Sequence, residues 1–331
     1  MKRQLRTVIR TAFLCAVFSV SALFFLTAAD KDEVELRFDG RPKVGEPYQL
    51  YVNSKQVRTY KMKLVGINNP PRRRETHEVL ATGELVYQSL DPLVVQFKVD
   101  TLRQIVDGET TDYTPLAGMT AIVRSSGVNL RDIPLGSDAD AAASVLGGGS
   151  VGDASGAKTS KEIRAMLPGA RRLIASMFAA PLDHPEEYLG KSRKVRPGGK
   201  WTASAKPMLE AIKANGLELS EDRVTATAIY NNPSKVSGIP AQNVYFLAES
   251  TTIPGYDFKL EVFFTFPDGG GDAPLRVERS ATEVVNRAIP EGVPGFSGSE
   301  MDCVTTDQTD FALVRKSAMK TKKSNWFLDL F

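Results

Sequence analysis

The chain has 331 residues, with 42 Lys+Arg against 39 Asp+Glu, two His and two Cys. A charged share of 24% and a hydrophobic share of 42% belong to an ordinary globular chain and exclude a disordered or fibrous one. Two Cys supply neither a disulfide framework nor a four-thiolate zinc site, and two His leave little room for His-rich metal chemistry.

Residues 1–29 read as a secretory signal. Lys2, Arg3, Arg6 and Arg10 form a basic start without an acid, Ala12 to Leu26 is an uncharged apolar run, and Thr27-Ala28-Ala29 precede Asp30. The apolar run is 15 residues long, short of the ~20 that cross a bilayer, so cleavage is expected rather than retention as an anchor. A lipoprotein reading fails at Cys15, because Leu14 precedes it and the apolar run continues past it. Without the signal, 38 basic residues face 39 acidic ones, a formal net charge of −1. The surplus of basic residues that nucleic acid binding needs is therefore missing, and nucleic acid is not an expected partner. Only Cys303 remains, so the mature chain forms no internal disulfide.

From residue 30 to 135 the pattern is period-two alternation, the mark of half-buried strands, and a first β-meander is expected. Tyr48 to Val52, Val57 to Val65, Glu84 to Gln88 and Val94 to Val99 are such runs, with Asp91-Pro92 as a turn. Gln104-Ile105-Val106 meets Asp107-Gly108, a pair suited to the positive φ values of a type I′ hairpin. Met119 to Val123 leads into Ser125-Ser126-Gly127 and a returning strand. Residues 136–160 are rich in Gly, Ala and Asp and read as a linker. A helical segment is expected over 161–190: Thr159 or Ser160 caps it, Ile163, Met166 and Leu167 recur at helical spacing, and Pro168-Gly169 breaks or kinks it. Leu173, Ile174, Met177 and Phe178 form a second apolar face. A second β-meander spans 191–288, with a short helix over Lys206 to Ala214 and a loop at Asp268 to Asp272. Residues 289–331 read as a Pro/Gly-rich, then basic and aromatic tail.

Several motifs resemble catalytic signatures and fail on context. Gly147 to Gly152 fits both the dinucleotide fingerprint and the nucleophile elbow, but neither has its preceding strand and following helix. Gly156-Ala157-Lys158-Thr159 is a near miss to a phosphate loop, and Gly295 to Ser299 a near-elbow that reads as a turn. His184, beside Asp183, Glu186 and Glu187, and His77, beside Glu75 and Glu78, lack the convergent partners of a metal site or a Ser-His-Asp triad. A hydrolase using paired carboxylates has no distinguishing mark among 39 acids. Cys303 reads as a small buried apolar residue. No cofactor is expected.

Basic residues cluster at Arg72 to Arg74, at Lys191 to Lys200 and at Arg315 to Lys323. The last cluster contains Lys320, Lys322 and Lys323 and precedes Trp326 and Phe327. Lys and Arg beside aromatics suit an anionic membrane surface or an envelope protein as partner.

The two meanders open alike, with Lys43-Val44-Gly45-Glu46-Pro47-Tyr48 and with Val195-Arg196-Pro197-Gly198-Gly199-Lys200-Trp201, as an internal duplication would give. This order resembles a group of uncharacterised exported bacterial proteins that share a domain of unknown function. They carry a signal, a "Lys-x-Gly-x-x-Tyr" strand opening, a β-meander, a mid-chain helix, a "Val-x-x-Gly-x-x-Trp" opening and a second meander. This chain departs from them in Gly198-Gly199-Lys200, where Gly-Asp-Ser is frequent, and in its Gly/Ala linker. The resemblance implies a curved antiparallel sheet or partial barrel on a helix, similar to lipoprotein-carrier folds. It implies no assigned activity.

The expected fold is therefore mainly β (α+β), a curved antiparallel sheet or partial barrel packed on the mid-chain helix. The expected function is that of an exported, non-catalytic envelope protein in the periplasm or outside the cell. Its ligand would be a lipid or small hydrophobic molecule in a sheet–helix pocket lined by Met166, Leu173, Ile174, Met177 and Phe178. The alternatives are an assembly factor acting through its C-terminal tail and a hydrolase.

Overall fold

The computed structural model describes residues 33–63, 72–133, 160–178, 184–214, 220–236, 238–250, 255–288 and 299–318. The signal, the linker motifs, the Gly295 near-elbow up to Ser299, and Lys320, Lys322, Lys323, Trp326 and Phe327 lie outside these residues.

The strands in chain order are β1 (Val34–Arg37), β2 (Pro47–Lys63), β3 (Arg72–Leu90), β4 (Leu93–Val106), β5 (Glu109–Asp112), β6 (Thr120–Arg124) and β7 (Gly127–Arg131). Helices α1 (Ser160–Met177) and α2 (Pro185–Leu189) follow, then β8 (Ser192–Val195), β9 (Lys200–Thr202) and helix α3 (Lys206–Ala214). The chain continues through β10 (Val224–Val236), β11 (Ile239–Ser250), β12 (Tyr256–Pro267), β13 (Arg276–Ala288) and β14 (Glu300–Arg315). The described strands form a 12-stranded antiparallel sheet in the order β7-β6-β4-β3-β2-β14-β13-β12-β11-β10-β9, with β5 also on β4, and a two-stranded sheet of β1 and β8. The large sheet has two ends and is not closed into a barrel.

Local chemistry explains many of these elements. Asp107 and Gly108 have φ of 50° and 91° and join β4 to β5, which is the type I′ turn their dipeptide favours. The two meander openings share one geometry. Gly45 and Gly198 both have φ of 81°, a conformation that a side chain would strain. Each donates its N–H to a tyrosine carbonyl, of Tyr87 at 2.8 Å and of Tyr230 at 2.7 Å. Three residues later, Tyr48 and Trp201 turn into the core.

Pro168 does not end the helix. α1 runs unbroken from Ser160 to Met177, with Pro168 and Arg164, whose carbonyl the proline leaves without its helical N–H, both exposed. Gly169 is there because a Cβ at that position would sit 2.4 Å from the Tyr113 hydroxyl.

One difference from the sequence reading reorganises the sheet. Residues 300–315, taken as tail, form the 16-residue strand β14 between β2 and β13. The last strand of the chain thus joins the two meanders into one sheet.

Paired residues on antiparallel strands share a face. One row runs Val79–Ser54–Thr309–Arg279–Val262–Phe246–Ala228–Trp201. Val79 belongs to a core formed by β2 to β7 and α1, while the last four residues belong to a second core that includes Tyr188 of α2 and Met208 of α3. Both cores therefore lie on one face, at opposite ends, with polar Ser54, Thr309 and Arg279 between them. This covered face carries α1 at one end and α2, α3 and the β1–β8 pair at the other. Phe38, just after β1, packs its ring on Trp201 and Phe266 at 6.1 and 5.2 Å.

Candidate functional site: a groove on the open face

The opposite face carries a cleft of about 630 Å³, within the range of small-molecule sites. Two adjacent cross-strand rows build it. The first reads Asn53–Asp310–Glu278–Phe263–Tyr245 across β2, β14, β13, β12 and β11. The second reads Glu78–Lys55–Gln308–Ser280–Glu261 across β3, β2, β14, β13 and β12. Strands sit about 4.8 Å apart, so each row is a ladder of side chains at that spacing, fixed by backbone hydrogen bonds. A small apolar cluster of Tyr51, Ala312, Leu275, Ala241 and Val236 lies beyond the first row. It anchors that end of the face.

The charges in the groove are paired. Arg276, next to the first row, donates to Asp310 from two nitrogens at 3.0 and 2.8 Å and lies 3.2 Å from Glu278. Lys55 meets Glu78 at 3.3 Å, and Lys259 meets Glu261 at 3.0 Å. The Tyr245 hydroxyl donates to Glu261 at 2.6 Å. That hydrogen bond holds the Glu261 carboxyl below its ordinary value against the opposing push of burial, and Lys259 adds to it. Burial, reinforced by Glu261, raises the Tyr245 phenol, so it stays a donor. Burial also raises Glu278; Arg276 opposes that shift and Asp310 adds to it. Burial alone would lower the Arg276 guanidinium, but its bonds to Asp310 outweigh this and it stays charged.

Other polar groups in the rows are unspent. The Oδ1 of Asn53 is buried and has no hydrogen-bond partner among the described residues. Among the described residues, neither the Gln308 amide nor the Ser280 hydroxyl makes a side-chain hydrogen bond. Phe263 is half-buried and makes no ring contact with another described aromatic. No three described His, Cys, Asp or Glu side chains are placed to hold a metal ion.

The residues expected to line an apolar pocket sit elsewhere. Leu173 and Ile174 are buried in the first core, and Met166, Met177 and Phe178 pack against it. Phe178 meets Phe97 edge-on at 5.9 Å. All five lie on the covered face, against the sheet, and none lines the groove. His77 is on β3 of the covered face, 2.7 Å from Gln104. His184 caps α2 and contacts Arg41, which also pairs with Glu186. Cys303 is half-buried, short of the full burial expected, and faces Tyr60 and Val285 on the covered side. The basic residues of the cluster from Lys191 to Lys200 are exposed; Arg193 lies 5.7 Å above the Trp201 ring and Arg196 lies 3.9 Å from Glu33.

Sequence reasoning did not find the groove. Asn53, Lys55, Glu278 and Ser280 are the polar positions of alternating strands and read like any solvated face. Asp310 and Gln308 belong to the strand that was taken as tail.

No family model matches the chain, and no curated protein matches it. Among solved structures it is similar to lipovitellin, studied for its lipid–protein interactions, at 8% identity and a TM-score of 0.33, over 85% of this chain and 26% of that one. It is also similar to Salmonella typhi OmpF in complex with daunomycin, at 10% identity and a TM-score of 0.21, over 83% of this chain and 100% of that one. A mutant porin of Rh. blastica matches at 10% identity and a TM-score of 0.19, over 79% and 99%. The chain thus spans about a quarter of the lipovitellin it resembles.

Proposed function

We propose that this is an exported, non-catalytic binding protein of the bacterial envelope that seats a ligand in the groove across β2, β14 and β13. The observation that carries the reading is the cleft of about 630 Å³ on the face that no described helix covers. Its walls come from neighbouring strands in register, so they are preorganised, and binding loses little energy to ordering them. The groups presented are amides, carboxylates, hydroxyls, a phenol, a phenyl ring and the cations of Lys55 and Arg279. His77 is on the opposite face of the sheet, bonded to Gln104, His184 is the N-cap of α2, and the carboxylates of Asp310 and Glu278 share the guanidinium of Arg276. The basic start, apolar run and small-residue boundary before Asp30 support export. A lipidic ligand beneath α1 would have to displace Leu173 and Ile174 from the core, which favours the open face as the seat.

The test is native mass spectrometry of the full chain, expressed with its own N-terminus in a bacterial host and recovered from the soluble envelope fraction. The expected result is a chain starting at Asp30 with a bound adduct, and loss of that adduct in Ser280→Trp, which fills the groove. A clean apo mass across preparations, or a chain that stays in the cytoplasm, would sink the proposal.

A further inference from the structure

We infer that the groove binds a neutral polyhydroxylated ligand, an oligosaccharide or comparable polyol, through Gln308, Ser280 and Glu278, with Phe263 as an apolar plate. The inference rests on the groove being the ligand seat and names what sits in it.

The charge pattern selects against an ionic ligand. Each carboxylate of the two rows already faces a cation: Glu78 has Lys55 at 3.3 Å, Glu261 has Lys259 at 3.0 Å, and Asp310 and Glu278 share Arg276 at 2.8 and 3.2 Å. A polycation or polyanion would have to compete with these pairs, and displacing the Arg276–Asp310 pair would leave a largely buried charge without its partner. A paired carboxylate keeps free lone pairs, however, and still accepts hydrogen bonds from hydroxyls.

The polar content selects against a lipid. An acyl chain laid along the rows would cover the Gln308 amide and the Ser280 hydroxyl and satisfy neither of them. Burying such groups unbonded is costly. A polyol satisfies them, because every hydroxyl is both donor and acceptor. Planar amide and carboxylate ends grip neighbouring hydroxyls in pairs, and the register sets Gln308 directly beside Ser280, one strand spacing of about 4.8 Å apart, with Glu278 in the adjacent row.

The aromatic content fits the same ligand. Sugars carry an apolar C–H face as well as hydroxyl edges. Phe263 pairs with Tyr245 on one side and Glu278 on the other, and its ring is only half-buried, so an apolar surface lies directly beside acceptors. Tyr245 is tied to Glu261 at 2.6 Å, which limits its rotation and keeps that wall in place.

Isothermal titration of the mature chain tests this with neutral oligosaccharides (maltotriose, cellotriose, chitotriose), with charged probes (a heparin-derived tetrasaccharide, spermine) and with lysophosphatidylcholine. The expected result is binding of a neutral sugar. Gln308→Ala should weaken it about ten-fold, Phe263→Ala at least as much, and Ser280→Trp should abolish it, while exposed Thr225→Ala leaves it unchanged. Thermal melts confirm that each variant is folded. Binding only of the charged or lipid probes overturns the inference, as does sugar binding that survives Ser280→Trp. If no probe binds, the native adduct decides. A carbohydrate adduct lost in Ser280→Trp upholds the inference. A non-carbohydrate adduct lost in that variant overturns it while the binding reading stands. A clean apo mass removes both.

Discussion

Truncating Ile174 separates a filled core from a ligand cavity under α1. Its side chain is 0% exposed and packs in the cluster that holds Phe97, Leu102 and Leu116. Ile174→Ala removes three carbons, worth about 2.4 kcal/mol of transfer energy at ~0.8 kcal/mol each. The cavity left behind raises the loss to about 3–4 kcal/mol, because the sheet beneath cannot collapse into it. Ile174→Val removes one carbon and should cost about 1 kcal/mol. With a urea m-value of about 3 kcal/mol/M, the alanine variant should unfold about 1 M earlier. Equilibrium urea unfolding followed by circular dichroism measures this, provided the transition is single and reversible. A loss below about 1 kcal/mol in the alanine variant would refute the reasoning: such a side chain borders a void, and α1 would then be the lid of an apolar pocket.

The remaining predictions concern close packing and acid stability. A Cβ on Gly83 would lie 2.2 Å from the Lys98 carbonyl oxygen and 2.6 Å from Phe97, beside the register shift between β3 and β4. Gly83→Ala should therefore lower stability by about 1–3 kcal/mol, and an unchanged urea midpoint would count against that close approach. Glu261 has a folded pKa below its ordinary 4.5, so its contribution is present above that value and is lost as pH falls through the depressed one. Tyr245→Phe removes the main cause of the depression and should flatten the loss of stability as pH falls below the ordinary 4.5. Identical acid slopes for the variant and the parent would show that the Tyr245–Glu261 bond does not set this carboxyl.

How much was legible depended on whether an element has a dry side. The strands of both meanders were readable because one of their faces packs on a core: Val95, Phe97 and Val99 alternate with Gln96, Lys98 and Asp100, and Leu260 and Val262 with Lys259 and Glu261. α3 was readable over Lys206 to Ala214 for the same reason at helical period, since Met208 and Ile212 turn to the second core. β14 was not. Asp302, Thr305, Thr306, Asp307, Gln308, Thr309 and Asp310 sit between the two cores, where neither face of the sheet is dry, so no apolar alternation marks them. Their strand character comes from pairing with β2 and β13, which local sequence does not record. Pro168 misled in the opposite direction: a breaker by type, it is tolerated because it stands on the solvent side of α1.

The sequence by itself determined an antiparallel, mainly β chain with a helix over one core. Period-two alternation, short turns and glycines at positive φ are local properties, and local physics is enough to produce them. It also determined the charge balance, near neutral beyond the first 29 residues. Only the tertiary structure decided that the two meanders share one sheet, that α1 fills its face of that sheet, and that a polar groove opens on the other side. That groove is assembled from Asn53 and Lys55 near one end of the chain and Gln308 and Asp310 near the other. Residues about 250 positions apart become neighbours only when β14 closes the seam between β2 and β13.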